Sequence, residues 1–384
     1  MHVSTGTTAM GTATVDLRAI AHNLRVLTDG AGVGAIAVVK ADGYGHGALP
    51  VARTLVEAGV TGLGVAHIGE ALALREGGID APITAWLHAP DADFEAAIAG
   101  DVDIAVSSIR QLESVVAAAA RRGEAATVTI KVDTGMNRSG IAADEWADFV
   151  AGYARAHADG AVRLRGVMAH LACGDEPDNP VNDEQAAGLR AAVADLAGVG
   201  IVPELVHLAN TPAALTRPDL AFDAIRPGLG VYGLNPVPGA GTADLIPAMT
   251  LRSEVSLVKR VAAGGGVSYG HTFRAREDTT TAVIPVGYAD GVPRVLSGKL
   301  RVRINGRDFP GVGRICMDQF VVDLGADGGG VGEGDEVTLF GTGEGGGPTA
   351  REWADAAGTI DYEIITGIGQ RVARRYVGPD GDGS

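Results

Sequence analysis

The sequence holds 384 residues, of which 46% are hydrophobic and 20% charged, a balance that builds a sizeable core and excludes global disorder. At roughly 100–200 residues per domain, this length suits two domains, or a barrel with an extra domain. Lys and Arg number 31 against 47 Asp and Glu, a formal charge of −16, which argues against nucleic-acid or anionic-membrane partners because both need clustered cations.

From residue 14 to about 233 the chain alternates short apolar runs with Ala-rich amphipathic stretches. The predicted strands are 35–40, 62–66, 82–87, 103–106, 127–132, 164–170, 204–208 and 224–226. Helical patterns lie between most of them, at 48–58, 69–76, 93–99, 109–122, 144–156 and 182–196. Alternation at this spacing implies parallel βαβ units, and eight strands suggest a closed (β/α)8 TIM barrel. Beyond residue 236 the pattern changes to strand-length runs at 251–261, 281–286, 300–304, 320–324 and 336–340, separated by Gly-rich turns, with one helical stretch at 349–357. The expected architecture is an α/β barrel over 12–240 followed by a mostly β C-terminal domain over 241–384, with residues 1–11 packing on the latter.

Cys173 and Cys316 lie far apart and offer neither a disulfide framework nor metal-type spacing, so a reduced, cytoplasmic setting is expected. The first twenty residues lack a basic start followed by a compact apolar run, and no secretory signal is read there. The apolar run before Lys40 is about half the roughly 20 residues a membrane span needs. The carboxylates of GDEPD, 174–178, read as a solvated loop, and no metal site is expected.

The strongest local signal is AIAVVKADGYGHG, 35–47, an apolar strand ending in Lys40 and a Gly-rich loop with Asp42, Tyr44 and His46. Catalytic groups of barrels sit at the C-terminal ends of strands. A partly desolvated lysine there has a lowered pKa and suits a Schiff base; on this motif alone, a strand-end lysine merely pointing to solvent is the favoured reading.

Eight motifs in order carry a resemblance across almost the whole chain: AVVKADGYGHG around Lys40, KVDTGMNRSG around Arg138, HLAN around Asn210, RPGLGVYG around Arg226, VSYGHTF around Tyr269, GYADG around Tyr288, GRICMDQ around Met317 and TIDYEI around Tyr362. Together they resemble the pyridoxal-phosphate-dependent alanine racemases, of the barrel-plus-β-domain fold type III. The resemblance implies interconversion of L- and D-alanine by two bases, Lys40 and Tyr269, with D-alanine feeding peptidoglycan. Lys40 would carry pyridoxal 5′-phosphate as a Schiff base. Tyr44, Thr211, Gly228, Leu229 and Tyr362 would hold its phosphate, His170 would pack on its ring, and Arg226, polarised by His207, would meet its pyridine nitrogen. Thr211 stands where serine is common in the family, and Leu229 where isoleucine is; neither change removes a needed group.

Arg138 and the backbone amide of Met317 would receive the substrate carboxylate. Lys131, often carbamylated in the family, would hold Arg138, while Tyr288 and Tyr362 would narrow the entrance and Asp318 would have a supporting role. Tyr269 and Met317 would act across the interface of a homodimer. The family's fold relatives, a broader amino-acid racemase and a basic amino-acid decarboxylase, are the nearest rivals. Decarboxylases use a carboxylate at the ring nitrogen, so Arg226 and Tyr269 weigh against them. A non-catalytic pyridoxal-phosphate carrier would have no use for the β domain, and a barrel hydrolase would need the paired carboxylates or metal cluster that this sequence lacks.

Overall fold

The computed structural model describes residues 9–239 and 244–378. The chain divides into two compact units: one comprises Ile20–Gly43 and Ala48–Leu245, and the other takes the residues up to Ala19, Tyr44–Gly47 and those from Ile246 onward. The expected boundary at 240/241 and the expected packing of residues 1–8 lie outside the described residues.

The first described elements are strand β1 (Gly11–Asp16) and a helix, Leu17–Ala31. Asp16 starts the helix by accepting the amide of Arg18 at 2.9 Å, the usual service of an aspartate at a helix N-terminus. Eight parallel strands then form the barrel: β2 (Gly34–Val38), β3 (Gly62–Val65), β4 (Ile83–Ala85), β5 (Val102–Val106), β6 (Ala126–Lys131), β7 (Val162–Met168), β8 (Leu205–His207) and β9 (Ala224–Ile225). Their order is β8-β7-β6-β5-β4-β3-β2-β9. Asp223 donates its amide to Val206 O at 2.9 Å, and Arg226 to Ala209 O at 2.7 Å, bridging β8 to β9 and bringing the ends together. Continuous burial along β3, β4 and β5 is what strands covered on both faces require.

The barrel interior is not wholly apolar. The fully buried carboxyl of Asp103 accepts the hydroxyls of Thr84 at 2.6 Å and Thr129 at 2.7 Å, and burial pushes its pKa up.

The second unit is built on a nine-stranded sheet. Its strands are β1, β10 (Met249–Glu254), β11 (Leu257–Val261), β14 (Thr279–Ile284), β15 (Arg301–Ile304), β16 (Arg307–Val312), β17 (Phe320–Gly325), β18 (Glu336–Phe340) and β19 (Ala373–Val377), with a separate ribbon of β12 (Gly266–Val267) and β13 (Phe273–Arg274). β1 pairs antiparallel with β10 and parallel with β19, so residues 12–16, assigned to the barrel from the sequence, are sheet strand here. Their alternating burial marks a strand with one covered face. The run 251–261 is two strands rather than one. Helices Ala350–Ala357 and Asp361–Thr366 complete the unit.

Tyr44–Gly47 belongs to this unit because its backbone is packed against the C-terminal segment. A Cβ on Gly45, which has φ 79°, would lie 2.4 Å from Ile365 O, so no side chain fits there. Among the described residues, no helix is long and apolar enough to cross a membrane.

Candidate active site

The sequence-predicted residues fall into two clusters, one on each unit. In the barrel, β2 ends at Val38, so Lys40 lies two residues past the strand rather than in it. Ala41, Asp42 and Tyr44 follow with φ of 53°, 53° and 52°, a left-handed path that non-glycine residues adopt at about 1–2 kcal/mol each. The turn is over-determined by its contacts. Glu70 accepts the amide of Ala41 at 2.7 Å through one oxygen, and those of Ala66 and His67 at 2.8 and 3.0 Å through the other. Asp42 accepts the amide of Ala48 at 2.8 Å, and Val39 is bonded to Gly64 O at 2.9 Å.

Lys40 shares its surroundings with three more cations. Burial lowers its pKa, Arg138 lowers it further, Glu70 opposes the shift and Arg226 adds to it. Lys131 closes β6, is buried, and donates to Ser139 Oγ. Burial, Arg138 and Arg226 bring its pKa down to about 8, with Asp133 opposing. Both lysines therefore hold a larger neutral, nucleophilic fraction near neutral pH than an exposed lysine does.

Arg226, immediately after β9, is fully buried. Its Nη1 donates to His207 Nδ1 at 2.8 Å, and its Nη2 donates to Ala169 O at 2.8 Å and His170 Nδ1 at 3.0 Å. Desolvation brings its pKa to about 10, so the guanidinium keeps its charge at neutral pH. An arginine can only donate; both imidazoles must therefore offer a bare Nδ1. Burial first, and Arg226 second, hold both histidines well below the ordinary imidazole range, and they are neutral with the proton on Nε2.

Beside them Thr211 Oγ1 accepts the amides of Gly228 at 3.0 Å and Gly230 at 3.2 Å. The two amides fix this oxygen in place, and the hydroxyl keeps its own O–H as a donor suited to an anion. Leu229 lies between the two glycines and is buried. Arg138 is exposed. The barrel thus gathers Lys40, Lys131, Arg138 and Arg226 in a chain of net charge −16, a local excess of positive charge suited to a phosphate and a carboxylate.

On the second unit, Tyr269 lies between β12 and β13 and is 72% exposed. Ser268, with φ 60°, donates its hydroxyl to Arg314 O at 2.7 Å and so ties Tyr269 to the loop carrying Cys316 and Met317. Tyr288 and Met317 are also exposed, at 43% and 53%. Their backbones are in register, with Tyr288 N on Cys316 O and Ala289 N on Met317 O, both at 3.0 Å. Asp318 is ion-paired with Arg371 at 2.8 Å. Tyr44 and Tyr362 have ring centroids 6.1 Å apart, and burial raises the pKa of the Tyr44 phenol.

The sequence reading missed Glu70, Ser139 and Gly230. Glu70 carried a signal, being an acid at the third position of the helix Ile68–Glu76, where it caps the preceding amides. Ser139 and Gly230 carried none, because their partners come from tertiary packing.

The chain matches two family descriptions, "Alanine racemase, N-terminal domain" over residues 15–236 and "Alanine racemase, C-terminal domain" over residues 248–376. The alanine racemase of Mycolicibacterium vanbaalenii is 55% identical over 375 residues, 97% of this chain and 96% of that protein. The crystal structure of alanine racemase from D-cycloserine-producing Streptomyces lavendulae aligns with a TM-score of 0.93 at 46% identity, covering 97% of this chain and 98% of that one. Alanine racemase from Bartonella henselae, solved with covalently bound pyridoxal phosphate, aligns at 0.86 and 30% identity, covering 96% and 100%.

The cation cluster makes a direct prediction for Lys40. Competitive acylation read by mass spectrometry across pH places its half-reactivity below the ordinary lysine value of 10.5. Arg138→Gln removes a neighbouring positive charge, so the half-point moves up in pH. A half-point that stays put in the variant rules out electrostatic coupling between the two.

Proposed function

The chain belongs to the alanine racemase family, and on that premise we propose that it interconverts L- and D-alanine with pyridoxal 5′-phosphate as cofactor. The observation that carries this reading is the buried, charged Arg226 held between two neutral imidazoles beside a lysine of lowered pKa. Bound at Lys40, pyridoxal phosphate supplies an electron sink that makes a substrate Cα proton removable.

The donor set fits that cofactor. Thr211, Gly228, Leu229, Tyr44 and Tyr362 would hold its phosphate, and His170 would pack on its ring. Arg226 would meet its pyridine nitrogen. Because a guanidinium keeps its protons, Arg226 would donate to that nitrogen and give it no proton, which would leave a weaker electron sink and favour prompt return of a proton to Cα over side reactions. A carboxylate at this position would do the opposite, which separates this chain from the basic amino-acid decarboxylases.

Lys40 moves a proton at one face of the substrate Cα, and the Tyr269 hydroxyl moves one at the other. Arg138 and the Met317 amide receive the carboxylate, and Tyr288 and Tyr362 keep the entrance narrow enough to favour a methyl side chain. Tyr269, exposed on its own chain, serves the barrel of a second copy in a homodimer, as does Met317. The product D-alanine feeds peptidoglycan, in the cytoplasm. Lys131 completes the arrangement as a carbamate: its neutral amine adds to carbon dioxide and releases one proton, leaving an anion that holds Arg138.

Four measurements test these roles. Proton NMR of L-alanine in heavy water, with enzyme and pyridoxal phosphate, loses the α-proton signal and ends near equal L and D. L-Lysine keeps its α-proton; loss of that signal would mean a broader racemase. Tyr269→Phe slows inversion by about 10²–10⁴-fold, the usual weight of one acid/base group, while deuterium still exchanges into one enantiomer. Equal exchange into both would remove Tyr269 from the mechanism.

Neither Lys40→Ala nor Tyr269→Phe alone racemises well, but an exchanged mixture regains about a quarter of wild-type activity, because half the dimers are mixed and each holds one intact site of two. No recovery from mixed dimers would put both residues on one chain. Carbon-13 NMR with labelled bicarbonate gives a carbamate resonance that grows as pH rises toward 8, the region in which the Lys131 amine loses its proton, and that Lys131→Ala abolishes. A spectrum unchanged by the substitution excludes the carbamate.

A further inference from the structure

Three loops of the second unit meet at one point: 287–292 carrying Tyr288, 314–319 carrying Met317, and 367–372. The first two are in backbone contact. A Cβ on Gly287 would lie 2.3 Å from Cys316 O and 2.4 Å from Met317 O, so only glycine allows the approach. The third loop joins through Gly369 N, which donates to Asp290 O at 3.0 Å. Arg374 holds it from behind, donating to the carbonyls of Ile368, Gly369 and Val372 at 2.5–2.8 Å.

Arg371 faces the other way, toward the two loops. Its Nε and Nη2 grip the Asp290 carboxylate in a fork, each at 2.9 Å, and Nη2 reaches Asp318 Oδ1 at 2.8 Å. Asp290 is buried and its Oδ2 also accepts the amide of Gly287 at 2.8 Å. One guanidinium therefore spans the turn next to Tyr288 and the residue next to Met317. A planar fork fixes distance and angle together, which a lysine ammonium does not.

We propose that Arg371 and Asp290 are a positioning pair that sets the separation of the Tyr288 turn and the Met317 amide, and through it the substrate size the site accepts. The proposal rests on the roles given above to Tyr288 and Met317: one limits the entrance and the other binds the carboxylate, so the room left for a side chain is the gap between them. Neither member of the pair needs to touch the substrate. Loss of the fork loosens both loops at once.

Arg371→Lys, Arg371→Gln and Asp290→Asn in the holoenzyme test it. KM for L-alanine rises about tenfold with kcat changed far less, as expected when binding geometry rather than the chemical step is lost. The preference for L-alanine over L-serine falls, and Arg371→Lys lies between wild type and Arg371→Gln. Amide hydrogen exchange accelerates in 287–292 and 314–319 together, a readout that does not depend on turnover. A lower Tm with KM, the alanine-to-serine ratio and exchange in those segments all unchanged would overturn the proposal and leave the pair a stabilising contact. Wild-type protein that turns over no amino acid would instead sink the racemase reading, and unchanged exchange in the variants would then still overturn the clamp.

Discussion

A guanidinium buried without a carboxylate is the constraint on which the barrel site depends. Arg226 has no ion-pair partner among the described residues, and its charge is held by two imidazole nitrogens and backbone carbonyls. Burying an ion is costly, by several kcal/mol in real proteins, unless its hydrogen bonds are met. Here they are met by neutral acceptors, so the positive charge is left uncancelled and acts on its neighbours. It contributes to the lowered pKa of Lys40, Lys131, His170 and His207. Replacing it with a neutral side chain would relax all four at once and leave His207 and His170 without the donor that fixes their tautomers.

The same economy of contacts governs the loops. Lys40 is followed by a left-handed path that includes Ala41, Asp42 and Tyr44 as well as glycines. Such a path persists only when neighbours over-determine it, and Glu70 and Asp42 supply the acceptors that do so. On the other unit, glycine at 287 lets two loops touch backbone to backbone, and a single arginine fork then fixes them. Side chains that look unremarkable in the sequence, a glutamate in a helix and an arginine near the C-terminus, hold the residues that carry the chemistry.

Much of this was legible beforehand, and what was missed has a common cause. The barrel strands are apolar runs of the right length, and the strand-to-lysine boundary was misplaced by only two residues, because Val39 continues the apolar run up to Lys40 while the Glu70 contact turns the chain. Helix Leu17–Ala31 was overlooked although Asp16 caps it and Ile20, Leu24 and Leu27 are buried along one face. Strand β19 could not be read, since its parallel partner β1 lies at the other end of the chain, and a five-residue segment with three charged or polar side chains has no periodic signal of its own.

Sequence alone determined the chemistry on offer: which lysine, which arginines and tyrosines, and the order of the motifs that tie them to one family. It could do so because residue type and local spacing are written in the chain. The tertiary structure decided what those groups are. Closing the barrel brings Arg226, His207 and His170 from the ends of three strands into one hydrogen-bonded row, and only folding shows which imidazole nitrogen carries the proton and which lysines give theirs up more readily. Protonation depends on burial and on charges brought close by folding, and neither is a property of a residue's position in a sequence.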